Sequence, residues 1–372
     1  MTRSIVTPRS WRVAAVLATA VLASGLAAGC SHAASGPAAS ASAAPAPASA
    51  SAPLSLTTAL TAQGTSWAAV PMGAASGPNL FWQLFVRPAG STQWSLATPP
   101  DVPTNGALIL AGSGSGSGAG GQSLTAGVRP ALSLRFSPVT VTTDAGRTWA
   151  SGPPAAGLAD VPDALGSAPG GQLIALAADG QASLASPTAA SWTALTSQRA
   201  LGKVPAAGGC GLTALTAAAY TPSGAPLLAG NCTRPGVAGI FSYAHGAWDD
   251  AAPPMPASLS REQIRVLRLT RTGDSDTALL EAGTGPAAAL LAAWTSSGGQ
   301  WTVSPPLALE GARVLSTSFG DTGAAAVVLS GNRGAVLSGP GAGWQTLPAL
   351  PSATTVTLAL PAAGGTDALA AA

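Results

Sequence analysis

Charged side chains are scarce in this chain: they make up 8% of its 372 residues, and the formal net charge is +2. So small a charge, without a basic stripe, gives no strong electrostatic field, which argues against nucleic acid or acidic polymers as main partners. The composition also argues against a disordered polyelectrolyte, because such chains have a high charge density. We therefore expect the chain to fold.

The side chains that many enzymes and metal sites use are also few, since the sequence holds two histidines, two tyrosines and three cysteines. His32 lies in an Ala/Ser/Pro-rich stretch and His245 in a predicted turn, so they offer no zinc cluster and no Ser-His-Asp triad. Asp249 and Asp250 are fewer acids than a calcium site requires. The glycine-rich run 112–122 lacks the lysine and following helix of a phosphate loop. We predict no cofactor, no metal site and no catalytic residue.

Long hydrophobic runs are absent too, and the longest apolar stretch lies near the N-terminus. Arg3, Arg9 and Arg12 precede the apolar residues 13–26, which are too few for a comfortable spanning helix, and this order is typical of an export signal. The sequence LAAGC that follows ends at Cys30 and resembles the lipobox of bacterial lipoproteins, in which the cysteine is lipidated and becomes the new N-terminus. The alternative is ordinary cleavage after a small residue, with Cys30 as a stray thiol.

Residues 31–53 are almost wholly Ala, Ser and Pro, and such a segment is typical of a flexible tether. A diacylglycerol on Cys30 would supply two buried chains, enough for stable anchoring. The expected organisation is a signal peptide with lipobox at 1–29, a lipidated cysteine and tether at 30–53, and a folded domain at 54–372. The domain is expected at the outer face of the cytoplasmic membrane or elsewhere in the cell envelope.

Two cysteines remain after Cys30, and an exported protein sits where disulfides persist. Cys210 and Cys232 bracket two apolar runs separated by the turn sequence TPSG, which predicts strand, turn and strand. In an antiparallel hairpin centred near Thr221 and Pro222, the two ends face each other. We predict a structural disulfide between Cys210 and Cys232, with two independent buried thiols as the alternative.

Six tryptophans recur in one local setting, which is a turn, the Trp, a few strand-like residues and then, in most copies, prolines. They are Trp94, Trp149, Trp192, Trp248, Trp301 and Trp344. Their successive spacings of 55, 43, 56, 53 and 43 residues are about the length of one four-stranded propeller blade. Short apolar runs separated by Gly, Pro, Asp or Ser fill the intervals, without a convincing amphipathic helix. The sequence predicts an all-β propeller of four-stranded blades.

The number of blades depends on how the ring closes. First strands are predicted to begin near residues 55, 105, 162, 212, 264, 312 and 354, and the last start leaves only two strands before the chain ends. Trp67 either completes that half blade or belongs to the second strand of the first blade. We favour seven blades, with six blades and an unclosed remnant as the alternative.

The stretch TTDAGRTW resembles the Asp box, or BNR repeat, found in sialidases and in many propellers that hydrolyse nothing. Its matching positions are Thr142, Asp144, Gly146, Thr148 and Trp149. The resemblance implies a hairpin between the third and fourth strands of a blade, away from the active-site face. Asp144 can accept hydrogen bonds within its own turn, and Gly146 can take a positive φ. The other five tryptophan repeats have no acid at this position, so we interpret Asp144 as structural.

Sialidase chemistry, which the resemblance would imply, needs three arginines, a tyrosine paired with a glutamate, and an acid. The family's Phe-Arg-Ile-Pro motif is approached only by FVRP at residues 85–88, where Arg87 is displaced by one position and so faces the other side of a strand. Only Tyr220 and Tyr243 are available as a nucleophile, and Tyr220 falls at a predicted turn. We expect this chemistry to be absent.

Four arginines, Arg261, Arg265, Arg268 and Arg271, fall in one predicted first strand, and first strands line the central channel of a propeller. Arg265, Arg268 and Arg271 are our candidates for binding an anionic ligand in the channel. The alternative is that these arginines solvate a strand end and its loop.

We hypothesise a membrane-anchored, monomeric propeller lipoprotein that acts as a non-catalytic binding or assembly module for an envelope glycan or protein. A sensor or accessory lipoprotein that binds another exported protein is indistinguishable from this at the level of sequence. The alternative from another class is a divergent sialidase-like glycoside hydrolase, in which Glu281 and Asp276 would converge with arginines in the channel. Fold by itself does not choose between them.

Overall fold

The computed structural model describes most of the chain from Thr57 to Ala371, and the described residues belong to one compact unit, Pro53–Ala371. Outside the described residues lie 1–56, 73–80, 101–103, 105–106, 113–122, 130–138, 152–161, 169, 178, 187–191, 297–298, 351–354, 362–364 and 372. The predicted signal peptide, the lipidation residue Cys30 and the tether are therefore all outside the described residues.

The first three blades are antiparallel sheets of four strands each. The first holds β1 (Thr57–Ala62), β2 (Thr65–Met72), β3 (Phe81–Arg87) and β4 (Ser95–Leu96). The second holds β5 (Ala107–Gly112), β6 (Leu124–Arg129), β7 (Val139–Thr142) and β8 (Ala150–Ser151). The third holds β9 (Pro162–Ser167), β10 (Leu173–Ala177), β11 (Gln181–Ala185) and β12 (Thr193–Ser197).

The next three blades repeat this order of strands. The fourth holds β13 (Leu212–Tyr220), β14 (Pro226–Cys232), β15 (Gly239–Ala244) and β16 (Ala247–Asp250). The fifth holds β17 (Ile264–Thr272), β18 (Ser275–Ala282), β19 (Ala289–Thr295) and β20 (Trp301–Val303), with β21 (Leu307–Ala308) paired to β19. The sixth holds β22 (Val314–Phe319), β23 (Ala325–Leu329), β24 (Arg333–Leu337) and β25 (Gln345–Leu347).

The last two strands, β26 (Thr355–Ala359) and β27 (Asp367–Ala371), form a two-stranded sheet. First strands therefore begin at Thr57, Ala107, Pro162, Leu212, Ile264, Val314 and Thr355. Each start is within two residues of its prediction, because turn residues punctuate the sequence at the ends of the apolar runs. The predicted all-β propeller of four-stranded blades is confirmed.

The first blade, the sixth blade and the C-terminal sheet contact one another. Strand β1 pairs in parallel with β22, and Leu60 lies opposite Phe319. Strand β26 is bound to both neighbours: the Thr357 hydroxyl donates to the Ala69 carbonyl at 2.8 Å, and the Ser318 hydroxyl donates to the Leu358 carbonyl. The described residues thus form six four-stranded blades, the first and sixth of which are joined by β1 and β22 into one eight-stranded sheet, and one further two-stranded sheet. Trp67 lies in β2 of the first blade.

Helical structure among the described residues is limited to single turns. Between the third and fourth blades lie α1 (Gln198–Leu201) and α2 (Pro205–Gly208), which the sequence analysis did not predict. The hydroxyl of Ser197 caps α1 by accepting from the Ala200 amide at 3.2 Å. In the described part of the chain, no helix combines the length and the apolar character needed to cross a membrane.

The repeat tryptophans all lie at the outer strand of their blades. Trp248 and Trp301 are in β16 and β20, and the other four directly precede β4, β8, β12 and β25. The indole of Trp301 donates to the carbonyl of Ala251, in the preceding blade, at 2.7 Å. The ring of Trp149 meets that of Trp67 in the preceding blade edge to face, with centroids 6.4 Å apart. Both tryptophans therefore join one blade to the blade before it.

The hydrophobic core lies between neighbouring blades and is rich in alanine. Ala217 and Ala229 of the fourth blade pack with Val266 and Ala278 of the fifth, and all four are buried. Small side chains at these positions let adjacent sheets approach closely, which is why so alanine-rich a sequence still forms a packed interior.

Candidate functional site

A small cavity lies where the first strands of the second to fifth blades come together. Its lining consists of residues 109–112 of β5, 164–167 of β9, 216–220 of β13 and 267–271 of β17. The cavity volume is about 40 Å³. Since one water occupies roughly 10–15 Å³ by the same measure, the cavity has room for about three waters. Four first strands thus enclose a narrow polar space on the channel side of the ring.

Of the three channel arginines predicted from the sequence, two line this cavity. Arg268 and Arg271 lie on β17, and burial lowers the pKa of both guanidinium groups, that of Arg268 to about 10. Asp274 and Asp276 partly offset the effect for Arg271. The cavity therefore contains positive charge that has been partly removed from water, a condition that favours an anion.

The third arginine, Arg265, is not among the residues that line the cavity. Its guanidinium donates to Glu281 of β18 at 2.6 Å, and the Glu281 side chain is 13% exposed. Arg261 is exposed and precedes the start of β17 at Ile264. The run of four arginines is therefore divided among different environments, and Arg268 and Arg271 share the cavity.

Four further residues with hydroxyl groups are among those that line the cavity: Ser167, Thr216, Tyr220 and Thr270. Tyr220 is 1% exposed and Ser167 is 7% exposed, and neither hydroxyl has a hydrogen-bond partner. Desolvation by burial raises the pKa of the Tyr220 phenol well above its ordinary value. Sequence reasoning placed Tyr220 at a turn, whereas it is the last residue of β13. The sequence did not single out Ser167.

A buried carboxyl group lies next to the cavity. Asp276 is 6% exposed and sits opposite Arg271 in the β17–β18 ladder. Desolvation raises its pKa to about 7, although the charge of Arg271 acts in the opposite direction. Its Oδ1 atom has no hydrogen-bond partner. Asp276 and Glu281 are not among the residues that line the cavity.

The turn that resembles an Asp box connects β7 to β8 of the second blade. The carboxylate of Asp144 accepts from the Thr148 amide at 2.9 Å, from the Thr148 hydroxyl at 2.6 Å and from the Thr142 hydroxyl at 2.9 Å. These bonds, those of Thr148 above all, lower the pKa of Asp144 to about 2. All the polar contacts of this carboxylate are made within its own turn.

The glycine of this turn has two constraints. Gly146 has φ of +77°, which disfavours residues with a side chain. A Cβ atom there would also lie 2.6 Å from the Cβ of Ala97 in the first blade. Its amide donates to the Thr142 hydroxyl at 3.0 Å. The turn is therefore both closed on itself and packed tightly against the neighbouring blade.

The predicted disulfide between Cys210 and Cys232 is confirmed. The two Cα atoms are 5.2 Å apart. Cys210 lies between α2 and β13, and Cys232 is the last residue of β14, so the bond closes the open end of the β13–β14 hairpin. The hairpin turn comprises residues 221–225, in which Thr221 and Ala225 exchange backbone and side-chain hydrogen bonds. Both cysteines are buried, at 4% and 5% exposed.

An open groove of about 550 Å³ runs beside this disulfide at the outer edge of the fourth blade. Trp248, Asp249, Asp250 and Arg234 line it together with α2. One Asp250 oxygen accepts from the amide of Ala252 at 3.0 Å. No group of three His, Cys, Asp or Glu side chains that could hold a metal ion occurs within the described residues.

Arg87, the residue displaced from the sialidase pattern, has a partner far along the sequence. Its guanidinium donates to Asp367 of β27 at 2.7 Å, and the indole of Trp94 donates to the same carboxylate at 3.0 Å. Arg87 is not among the residues that line the channel cavity. It links the first blade to the C-terminal sheet.

No protein-family model matches the sequence, and no curated protein matches it. Among solved structures, the chain is similar to YCF48 bound to D1 peptide, at 14% identity and a TM-score of 0.44, over 85% of this chain and 92% of that one. It is similar to YCF48 from Cyanidioschyzon merolae at 14% identity and a TM-score of 0.45, over 78% of this chain and 91% of that one. It is also similar to the six-bladed β-propeller lectin of Aleuria aurantia, at 14% identity and a TM-score of 0.44, over 80% of this chain and 95% of that one. Similarity at this level says nothing of ligand or activity.

Proposed function

We propose that this chain is a non-catalytic binding or assembly module, a monomeric propeller tethered by a lipid on Cys30 at the outer face of the cytoplasmic membrane or elsewhere in the cell envelope. Its partner is an envelope glycan or protein. The proposal joins the lipobox-like sequence ending at Cys30 to the channel-side cavity of the propeller.

The observation that carries this proposal is the chemistry of the cavity lining. Arg268 and Arg271 can bind and orient a ligand, but the described residues that line the cavity include no carboxylate and no histidine. Glycoside hydrolysis uses a pair of carboxyl groups, or a comparable acid and base, beside the bond that breaks. This set of side chains suits recognition better than proton transfer.

The two acids that the glycosidase alternative requires lie elsewhere on β18. The carboxylate of Glu281 forms a salt bridge with the guanidinium of Arg265, with 2.6 Å between the nitrogen and the oxygen. Asp276 faces Arg271 across the ladder and is buried. Neither is among the residues that line the cavity.

Turnover of a panel of fluorogenic glycosides, sialosides included, tests the absence of catalysis. The full chain is assayed beside an Arg268→Ala variant and a buffer blank. We expect no turnover above the blank with either protein. Turnover by the wild type that disappears in the variant would contradict the proposal and place a glycosidase site in the channel.

The lipid anchor has a separate test. A Cys30→Ser variant of the full chain removes the thiol that would carry the lipid, and we expect it to move from the membrane fraction to the soluble fraction after export. Radiolabelled palmitate should enter the wild type and not the variant. Equal membrane association of the two proteins would contradict the anchor while leaving the propeller's binding role to be judged by its own test.

A further inference from the structure

The two-stranded C-terminal sheet lies between the first and sixth blades but has only half the strands of a blade. On one face of β26, Leu358 packs with buried residues of the sixth blade. On the other face, the Thr357 hydroxyl donates to the carbonyl of Ala69 in the first blade at 2.8 Å. Strand β27 pairs with β26 and with no other strand among the described residues. One backbone edge of β27 therefore has no strand beside it in the described part of the chain.

A row of side chains crosses the first blade on the face toward this sheet. The row takes one residue from each of strands β1 to β4, paired in register: Ala59, Ala68, Phe85 and Leu96. Paired residues of an antiparallel sheet share one face. Ala59 and Ala68 are buried against Ala359 of β26. Phe85 is half-buried and Leu96 is 59% exposed, so the row is covered over the first two strands and open over the last two.

The fifth blade has the equivalent row beside a neighbour with all four strands. This row crosses strands β17 to β20 and consists of Leu269, Ala278, Ala293 and Val303. It packs against the fourth blade. Ala293, at the position of Phe85, is fully buried, and Val303, at the position of Leu96, is half-buried. The exposure of Leu96 is therefore explained by the two strands that the C-terminal sheet lacks.

Exposed large apolar side chains are concentrated at this opening. The described residues contain three of them: Phe81, Leu96 and Leu315. Phe81 is 47% exposed and lies four residues before Phe85 on β3, so both side chains are on the open face. Arg87, on the same face, is paired with Asp367 of β27 at 2.7 Å. The opening therefore suits an apolar, uncharged surface.

The free strand edge and the apolar face together define what fits the opening. The edge of β27 offers backbone N–H and C=O groups to a strand about 4.8 Å away. Alternate side chains of that strand share the face of Leu369, which packs toward the first blade. We propose that the opening binds an extended segment of another exported polypeptide, which pairs with β27 and places large apolar side chains against Phe85 and Leu96.

The tether of the chain itself does not have the side chains for this role. Residues 31–53 are Ala, Ser, Pro, Gly and one His, so they include no large apolar side chain. Their prolines also lack the N–H that a strand donates. A strand formed from the tether would leave Phe85 and Leu96 uncovered, which is why the segment is assigned to a partner.

This inference rests on the proposed binding role, because it names a polypeptide as the partner, but it concerns a surface separate from the channel cavity. Peptide binding to the full chain is measured by fluorescence anisotropy. The probe is a labelled peptide of alternating Thr and Ile with a Lys at each end. One control has the same composition with its Ile residues adjacent in pairs, and a second is the alternating peptide methylated at every other backbone nitrogen.

We expect the alternating peptide to bind at least about tenfold more tightly than the rearranged one, because only the former places all its Ile side chains on one face. Methylation should abolish binding by removing the N–H donors of one strand edge. The inference is wrong if the alternating peptide does not bind, or if either control binds equally well. Absence of peptide binding without glycoside turnover removes this inference alone, whereas glycoside turnover removes the proposed absence of catalysis.

Hydrogen exchange identifies the edge that is used. In the free protein, the β27 amides that face away from β26 should exchange rapidly, whereas those of β14, which has a strand on both sides, should be protected. The alternating peptide should protect β27. Protection of β27 in the free protein equal to that of β14 would show that the chain already fills this edge. Protection that rises with protein concentration would assign the edge to a second copy, and either result contradicts a separate partner.

The Leu96→Asp variant tests the apolar face. Because Leu96 is exposed, we expect unchanged folding stability together with about tenfold weaker binding of the alternating peptide. Leu315→Asp is the matched control, since Leu315 is 48% exposed but lies on β22, a first strand. It should leave peptide binding unchanged. Equal peptide affinity in the wild type and both variants would show that the open face of the first blade takes no part in binding.

Discussion

Two aspartates of this protein occupy opposite environments. Asp144, in the outer turn of the second blade, accepts three hydrogen bonds from Thr142 and Thr148, and its pKa falls to about 2. Asp276, buried opposite the channel arginine Arg271, has one oxygen without a hydrogen-bond partner, and its pKa rises to about 7. The first carboxylate is more stable charged in the folded protein than in water, and the second is less stable charged.

The difference separates a structural site from a candidate binding site. In the outer turn, the side chains of Thr142, Asp144 and Thr148 satisfy one another locally. On the channel side, Tyr220 and Ser167 are buried without partners, and Arg268 is desolvated. Folding tolerates such groups at a cost in stability, and this cost is typical of positions where function sets the residue.

The largest expected effect concerns Asp276. Its pKa is raised in the folded state, so between about pH 4 and pH 7 the folded protein binds more protons than the unfolded chain, and stability falls as the pH rises. A shift from 3.8 to about 7 corresponds to as much as about 4 kcal/mol. We expect Asp276→Asn to lose this fall and to be more stable than the wild type at pH 8, as measured by urea unfolding at pH 4, 5.5, 7 and 8.

Asp274→Asn is the matched control for this experiment. Asp274 is exposed in the same turn, two residues away. The control should follow the wild-type pH profile. A profile for Asp276→Asn that also follows the wild type would show that burial of this carboxyl group does not influence stability, and the contrast with Asp144 would then fail.

Much of the fold could be predicted from the sequence, because it depends on patterns that are local. Turn residues at regular intervals placed all seven first strands within two residues, and the spacing of Cys210 and Cys232 around one hairpin indicated the disulfide. Two of the three arginines that the sequence analysis assigned to the channel, Arg268 and Arg271, line the cavity, and their role in binding stays a prediction.

The rest of the site depends on contacts between blades, which no local pattern reports. Ser167 and Tyr220 are unremarkable in sequence, and they come to line one cavity only because β9 and β13 meet there. The separation of Arg265 from its neighbours likewise depends on Glu281 in the next strand, 16 residues away. Long-range pairing, rather than residue type, decides which polar groups stay unsatisfied.

A smaller effect is expected at Gly146, and it tests whether the outer turn is fixed by packing as well as by hydrogen bonds. Alanine there must adopt a positive φ and place its Cβ 2.6 Å from that of Ala97. We expect Gly146→Ala to destabilise the protein by about 2–3 kcal/mol, of which about 1 comes from the backbone. Gly90→Ala is the control, since Gly90 has a φ of +76° and open space around it. Equal losses in thermal unfolding would contradict a packing role.

The smallest effect is expected at Asp144, and it has the opposite sign to that at Asp276. The folded-state pKa of Asp144 is about 2 and its ordinary value is 3.8, so the unfolded chain binds more protons in this range. The contribution of Asp144 to stability is therefore lost as the pH falls from about 4 to about 2. Asn at this position keeps an oxygen for the Thr148 amide, so we expect Asp144→Asn to change stability little at pH 7. The variant should, however, lose less stability than the wild type between pH 4 and pH 2 in urea unfolding. An equal loss in both proteins would mean that the hydrogen bonds from Thr148 do not favour the charged carboxylate, and the distinction between a satisfied and an unsatisfied aspartate would then rest on Asp276 alone.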